Sequence, residues 1–74
     1  MSAPRKMSWR RRRAVARILA WRCIHDAIGG GFLGVDAEME AELKFIATSL
    51  IPRSVRVYEQ AENDHRAWQE GKLR

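Results

Sequence analysis

The sequence predicts an all-α fold, and three observations carry the prediction. Apolar residues make up 46% of the chain, which is enough for a packed core and too many for disorder. They recur at helical spacing in three stretches. Glycines and a proline separate those stretches. We expect helices at about 9–28, 36–51 and 53–70, forming a small three-helix bundle or a helical hairpin packed on an N-terminal helix.

Size and cysteine content set the limits of this fold. The chain has 74 residues, so we expect a flexible basic arm over residues 1–8 and a single helical domain over residues 9–74. A domain this small buries a modest core and usually needs additional stabilisation. Cys23 is the only cysteine, so an intrachain disulfide is excluded. Either a homodimer or another partner is therefore the expected source of stability, with Cys23 a buried, reduced thiol.

The first helix is predicted to begin after Ser8, a favourable N-cap residue, and to end at three glycines. Beyond its first turns it is apolar nearly all round, which is typical of a buried, central helix. We expect Gly29 to adopt the left-handed conformation after the helix. Phe32 and Leu33 then form a short apolar connector.

The second helix is the clearest of the three. Asp36 is a good N-cap, and two glutamates suit the first turn. The apolar residues at helical spacing are Val35, Met39, Leu43, Ile46, Ala47 and Leu50. Phe45 lies off this stripe, so it is either an exposed contact for a partner protein or a side chain that folds over the helix edge into a neighbouring element.

The third helix follows the break at Pro52, which pushes Ile51 away from helical angles. One face collects Val57, Tyr58, Ala61, His65 and Trp68, and Glu62 has the spacing to pair with Arg66.

Residues 42–57 resemble a helix-turn-helix, in which Arg53 and Arg56 on a recognition helix would face DNA. The turn lacks the usual glycine and is one residue short. A proline-separated helical hairpin is the alternative.

Charge is the strongest functional signal. The formal net charge is +5, and residues 1–25 contain eight Lys and Arg but no acidic residue. Four consecutive arginines at the start of a helix oppose its dipole, and such local conflicts tend to mark function. Arginines at this density neutralise phosphates, and a neighbouring tryptophan can stack on an unpaired base. The candidate contacts with nucleic acid or another partner are Trp9, Arg10, Arg11, Arg12, Arg13, Arg17, Arg53 and Arg56.

We therefore expect a small non-enzymatic accessory or regulatory factor that binds nucleic acid through the arginine-rich helix. The alternative is a phage-like adaptor or inhibitor that docks on an acidic protein surface, with Phe45 and Trp68 as further contacts. A third reading is that the arginines are merely solvated, or that they pair within the fold with Glu38, Glu40 and Glu42.

Other classes of function have little support in the sequence. Cys23, His25 and Asp26 point in different directions on a helix, and no ligand pair has a zinc spacing, so we expect no catalysis, metal or cofactor. Charges interrupt the apolar run after residue 13, which argues against a signal peptide or a transmembrane segment. We expect a cytoplasmic protein.

Overall fold

The computed structural model describes residues 3–31 and 33–74, and it has three α-helices. They are α1 (Trp9–Gly29), α2 (Ala37–Thr48) and α3 (Val55–Gln69). The all-α prediction is confirmed. No strand occurs within the described ranges, where the only pairing of β type is an isolated parallel bridge between Arg5 and Leu73.

The predicted helix boundaries differ from the observed ones mainly around Pro52. α2 ends at Thr48 rather than residue 51, and α3 begins at Val55 rather than residue 53. Residues 49–51 form a tighter turn, in which each backbone N–H donates to the carbonyl three residues earlier. Ser54 is the N-cap of α3, and its hydroxyl accepts from the N–H of Val57 at 3.4 Å.

The other two N-caps were predicted correctly. The hydroxyl of Ser8 accepts from the N–H of Arg11 at 3.3 Å, and the carboxylate of Asp36 accepts from the N–H of Met39 at 2.8 Å. At the end of α1 the prediction was wrong, because Gly29 is still helical and Gly31 takes the left-handed conformation, with φ 70°. Phe32 lies outside the described residues, so the predicted apolar connector is assessed only at Leu33, which is exposed.

α1 is the central element, as its apolar circumference predicted. α2 and α3 both pack against α1, and they make no helix–helix contact with each other in the part of the chain that the structure describes. The predicted pairing of α2 with α3 as a hairpin is therefore wrong. The two helices follow different sides of α1 because nearly all of that helix's surface can bury apolar neighbours.

α1 and α2 instead form an antiparallel pair. Ala27 and Ile28 near the end of α1 line a small cavity together with Val35 and Glu40 from the start of α2. At the other end, the side chain of Arg17 reaches the carbonyl groups that follow α2. The helical hairpin of this protein is thus α1–α2, with α3 packed on the other side of α1.

The buried core is small. Its cluster consists of Met7, Val15, Ile18 and Ala61, with Ala47 buried separately between α2 and α1. Ile18 is the only large side chain among the described residues that is completely buried. The apolar face predicted for α3 is only partly buried. Val57 and Trp68 are exposed, whereas the acidic Asp64 is buried.

The N-terminal arm is part of the fold, contrary to the expectation of a flexible segment. The N–H of Arg5 donates to the carbonyl of Lys72 at 3.1 Å, and the N–H of Met7 donates to the carbonyl of Arg74 at 2.8 Å. The Met7 side chain is 6% exposed and joins the core. Burial of an apolar side chain between α1 and the chain's other end gives this segment a defined place. Residues 1 and 2 lie outside the described ranges.

Candidate functional site

The arginines of α1 divide into those that the fold uses and those that it leaves exposed. Arg11 belongs to the first group. Its Nε donates to Asp64 Oδ2 at 2.8 Å, and a second guanidinium nitrogen bonds to Oδ1. Asp64 is 3% exposed, and Gln60 donates a further hydrogen bond to it at 3.1 Å. Arg11 is therefore a structural residue, and its prediction as a free contact for an outside anion is wrong.

This fork of hydrogen bonds explains the ionisation of both groups. The hydrogen bond from Arg11 lowers the pKa of the Asp64 carboxyl, more than its burial raises it. The same hydrogen bond raises the pKa of Arg11. A buried carboxylate is tolerated in this small core because an ionised partner and an amide satisfy its oxygen atoms.

Arg17 is also used by the fold. Its Nε donates to the carbonyl of Leu50 at 3.0 Å, and its Nη2 donates to the carbonyl of Ser49 at 2.8 Å. Carbonyls after a helix carry partial negative charge and lack intrahelical donors, so an arginine is a suitable partner. Arg17 thus fixes the end of α2 on α1. It is also exposed and lines the same groove as Arg10 and Arg13, so its contact with a partner stays a prediction.

A third arginine joins α1 to α3. Arg22 forms an ion pair with Glu62, replacing the pairing of Glu62 with Arg66 that the spacing predicted. Burial raises the pKa of Glu62, but hydrogen bonds from Arg22 and Tyr58 outweigh it and leave that pKa below its ordinary value. The charged positions on α1 that face its neighbours are therefore structural.

The second group of arginines remains exposed. Arg10, Arg12 and Arg13 on α1, like Arg53 and Arg56 near the start of α3, form no ion pair within residues 3–31 and 33–74. The acidic residues of α2 do not neutralise them there, since Glu40 pairs with Lys44 at 3.1 Å and no ion pair joins Glu38 or Glu42 to the arginines. The reading in which α2 neutralises the arginine run is wrong for the described residues.

Several of these exposed arginines line one depression between the first turns of α1 and α3. One groove of about 490 Å³ has Arg10 and Arg56 on its walls, and an adjoining groove of about 350 Å³ has Arg10 and Arg13. Ala14 and Val57 are common to both grooves and form an apolar floor. We call this surface the basic groove.

Trp9 stands at the edge of the basic groove. Its side chain is 68% exposed, and the Arg10 guanidinium lies 6.0 Å from the ring centroid. Arg12, two residues after Arg10, projects to the opposite side of α1 because each helical residue turns by about 100°. Arg53 lines a neighbouring depression with Pro52 and Trp21. Of the eight predicted contacts, Arg12 and Arg53 therefore lie outside the basic groove.

The resemblance of residues 42–57 to a helix-turn-helix is not supported by the packing. In that motif the two helices pack on each other, whereas α2 and α3 make no mutual contact in the part of the chain described here. Arg56 nevertheless lies near other arginines. The packing of α3 on α1 places it in one groove with Arg10 and Arg11.

The aromatic contacts predicted for a protein partner are exposed but dispersed. Phe45 is 77% exposed, so the alternative in which it folds into a neighbouring element is wrong. Trp68 is 49% exposed and stacks on His65 with a centroid distance of 6.3 Å. Because the two residues are on helices that do not touch, they do not form one continuous patch.

The remaining candidate groups do not assemble into a site. Cys23 is exposed rather than buried as predicted, and His25 lies against Trp21 with a centroid distance of 4.8 Å. Over the described ranges, no cluster of three or more His, Cys, Asp or Glu residues has a geometry suited to a metal ion. None of the helices described has the length and apolarity needed to cross a membrane.

A scan of protein-family models finds no match to this chain, and searches of curated proteins and of solved structures find no significant match either.

Proposed function

We propose that this protein is a small non-enzymatic, cytoplasmic accessory factor that binds nucleic acid through the basic groove. The observation that carries the proposal is the convergence of Arg10, Arg13 and Arg56 from two helices on one depression. Their guanidinium groups have no ion pairs among the described residues, so they are available to phosphates. Arginine suits this role because its planar fork can donate two hydrogen bonds to one phosphate.

The structural arginine nearby supports the same role. Asp64 is the carboxylate on the wall of the basic groove, and Arg11 already neutralises it. The groove therefore keeps its positive potential although an acidic residue lines it. Arg11 contributes to binding indirectly, by cancelling a charge that would repel a polyanion.

Binding across a salt series tests the proposal. Changing Arg10, Arg13 and Arg56 together to alanine should weaken binding to short oligonucleotides and reduce the log–log salt slope by roughly two to three, since each lost phosphate contact removes about one. The matched control changes Lys44, Arg66 and Lys72 to alanine, which removes the same charge from exposed positions outside the groove. Equal losses in both variants, or no binding by the parent protein, would refute the proposal.

Trp9 indicates which form of nucleic acid the groove favours. An exposed indole beside arginines can stack on an unpaired base, whereas the bases of a duplex are already stacked. We expect Trp9→Ala to weaken binding to single strands by about tenfold or more, given roughly 1–3 kcal/mol per stacked base. Duplex binding should change little. A loss of equal size for both forms would argue against stacking.

The second candidate is a protein-binding adaptor or inhibitor of the phage-like kind, and the exposure of Phe45 favours it. At 77%, Phe45 is the most exposed large hydrophobic side chain among the described residues, and aromatic side chains dominate the binding energy of many protein interfaces. Two measurements distinguish the candidates. If the protein binds nucleic acid through the basic groove, Phe45→Ala should leave oligonucleotide binding unchanged. If the arginines bind an acidic protein surface, that protein should compete with an oligonucleotide for binding.

A further inference from the structure

The molecule is thinner and more extended than a self-sufficient domain of its size. Its principal extents are 50 × 24 × 16 Å, and its radius of gyration is 14.8 Å against about 11 Å for a compact chain of this length. The accessible surface is 6044 Å², whereas a compact monomer of 8.6 kDa exposes about 4,700 Å². The molecule is thin because α2 and α3 pack on α1 without contacting each other, so no second layer of helices forms.

The α1–α2 hairpin leaves an apolar strip exposed on α2. Met39 and Ile46 are 51% and 54% exposed, and their spacing of seven residues places them on one side of α2. Val35, just before the helix, is 40% exposed. Leu43 and Ala47 lie on the adjacent side of α2, which is turned towards α1 and is more buried. Exposed apolar side chains grouped on one face of a helix can mark an interaction surface.

α1 contributes a strip of small residues to the same face of the hairpin. Ala16 and Cys23 are exposed and lie seven residues apart, two helical turns, on the side of α1 opposite Trp21. α1 and α2 are right-handed helices that run antiparallel. With Arg17 and Ala27 of α1 turned towards α2, this geometry places Met39 and Ile46 on the same face of the hairpin as Ala16 and Cys23. The hairpin face thus has a large-residue row beside a small-residue row. We call it the hairpin face.

Two opposite charges border the small-residue strip. Arg12 and Asp26 are both exposed, and neither forms an ion pair over residues 3–31 and 33–74. They lie seven residues on either side of Leu19. An antiparallel copy of α1 centred on Leu19 would therefore bring Arg12 of each copy level with Asp26 of the other. It would also bring Ala16 of each copy to within one residue, about 1.5 Å along the helix, of Cys23 of the other.

We propose that the hairpin face is the interface of a homodimer, in which a second copy packs across a two-fold axis near Leu19. The small rows on α1 of the two copies pack on each other across this axis and the large rows on α2 flank that contact, so four helices enclose a shared core. The surface in excess of a compact monomer is about 1,300 Å², which exceeds the roughly 800 Å² per subunit of a standard interface. The proposal does not rest on nucleic-acid binding.

This arrangement leaves the basic groove accessible in both copies. Arg10 projects to the side of α1 opposite Arg12, so the groove and the hairpin face occupy different sides of the helix. Arg12 is then an interface residue, separate from the other exposed arginines of α1. The two properties can accordingly be tested independently.

Sedimentation equilibrium of the full chain tests the dimer. Met39→Glu and Ile46→Glu, singly and together, should raise the dimer dissociation constant by at least about a hundredfold for the pair, because each dimer would bury four unpaired carboxylates. Phe45→Glu is the matched control: it adds the same charge to an exposed position a quarter-turn away and should leave the dimer intact. A monomeric parent protein would overturn the proposal, as would an equal effect of the control.

Cysteine pairing tests the antiparallel register. In the Ala16→Cys variant, the new cysteine of one copy should form a disulfide with the native Cys23 of the other, giving a covalent dimer under mild oxidation. The two positions in one chain are about 10 Å apart along α1, too far for an intrachain bond. The parent protein should cross-link poorly, because its two Cys23 residues are offset by two turns. Efficient cross-linking of the parent, or none in the variant, would overturn this register.

Charge exchange tests the proposed ion pairs without altering apolar packing. Arg12→Asp or Asp26→Arg alone should raise the dissociation constant about tenfold, since each dimer would contain two repelling pairs. The double exchange should restore most of the affinity. Additive weakening in the double variant would exclude contact between these two residues.

Discussion

At the scale of single residues, the fold of this protein depends on which arginines find a carboxylate. Arg11 and Arg22 reach acids on α3, whereas their neighbours in the same arginine-rich helix remain exposed. The difference follows from position around α1, because only side chains on the α3-facing side meet Asp64 and Glu62. A run of identical residues thus performs two tasks, one structural and one available to a partner.

Asp64, the buried member of the Arg11–Asp64 ion pair, should be important for stability. Asp64→Asn removes the charge that Arg11 and Gln60 satisfy, and we expect the free energy of unfolding to fall by about 1–3 kcal/mol. Urea denaturation followed by circular dichroism measures this change. Glu59→Gln is the control, since it alters an exposed acid on the same helix and should have little effect. Equal stability of Asp64→Asn and the parent would show that the ion pair contributes nothing.

Acid should destabilise the protein through the same carboxyls. The folded-state pKa values of Asp64 and Glu62 are lowered, so as the pH falls the unfolded chain binds protons before the folded one does. The stabilisation is fully present above about pH 5 and is lost progressively as the pH falls below about 4. Urea titrations between pH 3 and 7 should show this loss. The double variant Asp64→Asn and Glu62→Gln should show a smaller dependence on pH.

At the scale of elements, the C-terminal end of α2 is stabilised by an arginine of α1. Many helices end instead at a glycine in the left-handed conformation. Arg17 bonds to the two carbonyls after Thr48, and Pro52 prevents the helix from continuing. The turn over residues 49–51 therefore depends on α1 for its geometry. This contact holds the C-terminal end of α2 beside the N-terminal half of α1, as in an antiparallel pair.

Removing the Arg17 side chain should loosen this turn. We expect Arg17→Ala to lower the free energy of unfolding by about 1 kcal/mol, because both of its hydrogen bonds are exposed to solvent, which weakens them below the usual range for a charged donor. It should also speed hydrogen exchange at the amides of Leu50 and Ile51. Arg13→Ala, one turn earlier on α1 and exposed, serves as the control. Unchanged exchange at residues 50 and 51 would indicate that the turn is stable without Arg17.

At the scale of the whole molecule, the two chain ends complete the core. Met7 and Leu73 lie against the cluster around Ile18, and the backbone of residues 5–7 is paired with that of residues 72–74. In a core with so few buried side chains, contacts made by the ends are a large share of the total. The arm and the tail therefore stabilise the protein as one unit.

A double-mutant cycle tests this coupling. Met7→Ala should destabilise the protein by about 2 kcal/mol, at the lower end of the range for large-to-small core changes, because the core is shallow. Removing residues 72–74 should have a comparable effect, and the two changes together should cost clearly less than their sum. Strict additivity in denaturation experiments would mean that the two ends act independently.

The sequence alone determined the three helices, two of the three N-caps and the central position of α1. These features depend on local spacing, capping side chains and the apolar circumference of one helix, all of which act within a few residues of the chain. Exposure of Trp9, Arg10 and Arg13 at one end of the molecule was also expected from the arginine run and is found.

Only the tertiary structure decided which charges are used internally and which elements touch. Arg11 and Asp64 are 53 residues apart, and Arg17 bonds to backbone carbonyls more than thirty residues away, so no local pattern identifies either contact. The burial of Met7 and the separation of α2 from α3 likewise follow from competition for the surface of α1. Such contacts depend on the relative placement of whole helices, whereas spacing along a sequence encodes only the sides that each helix presents.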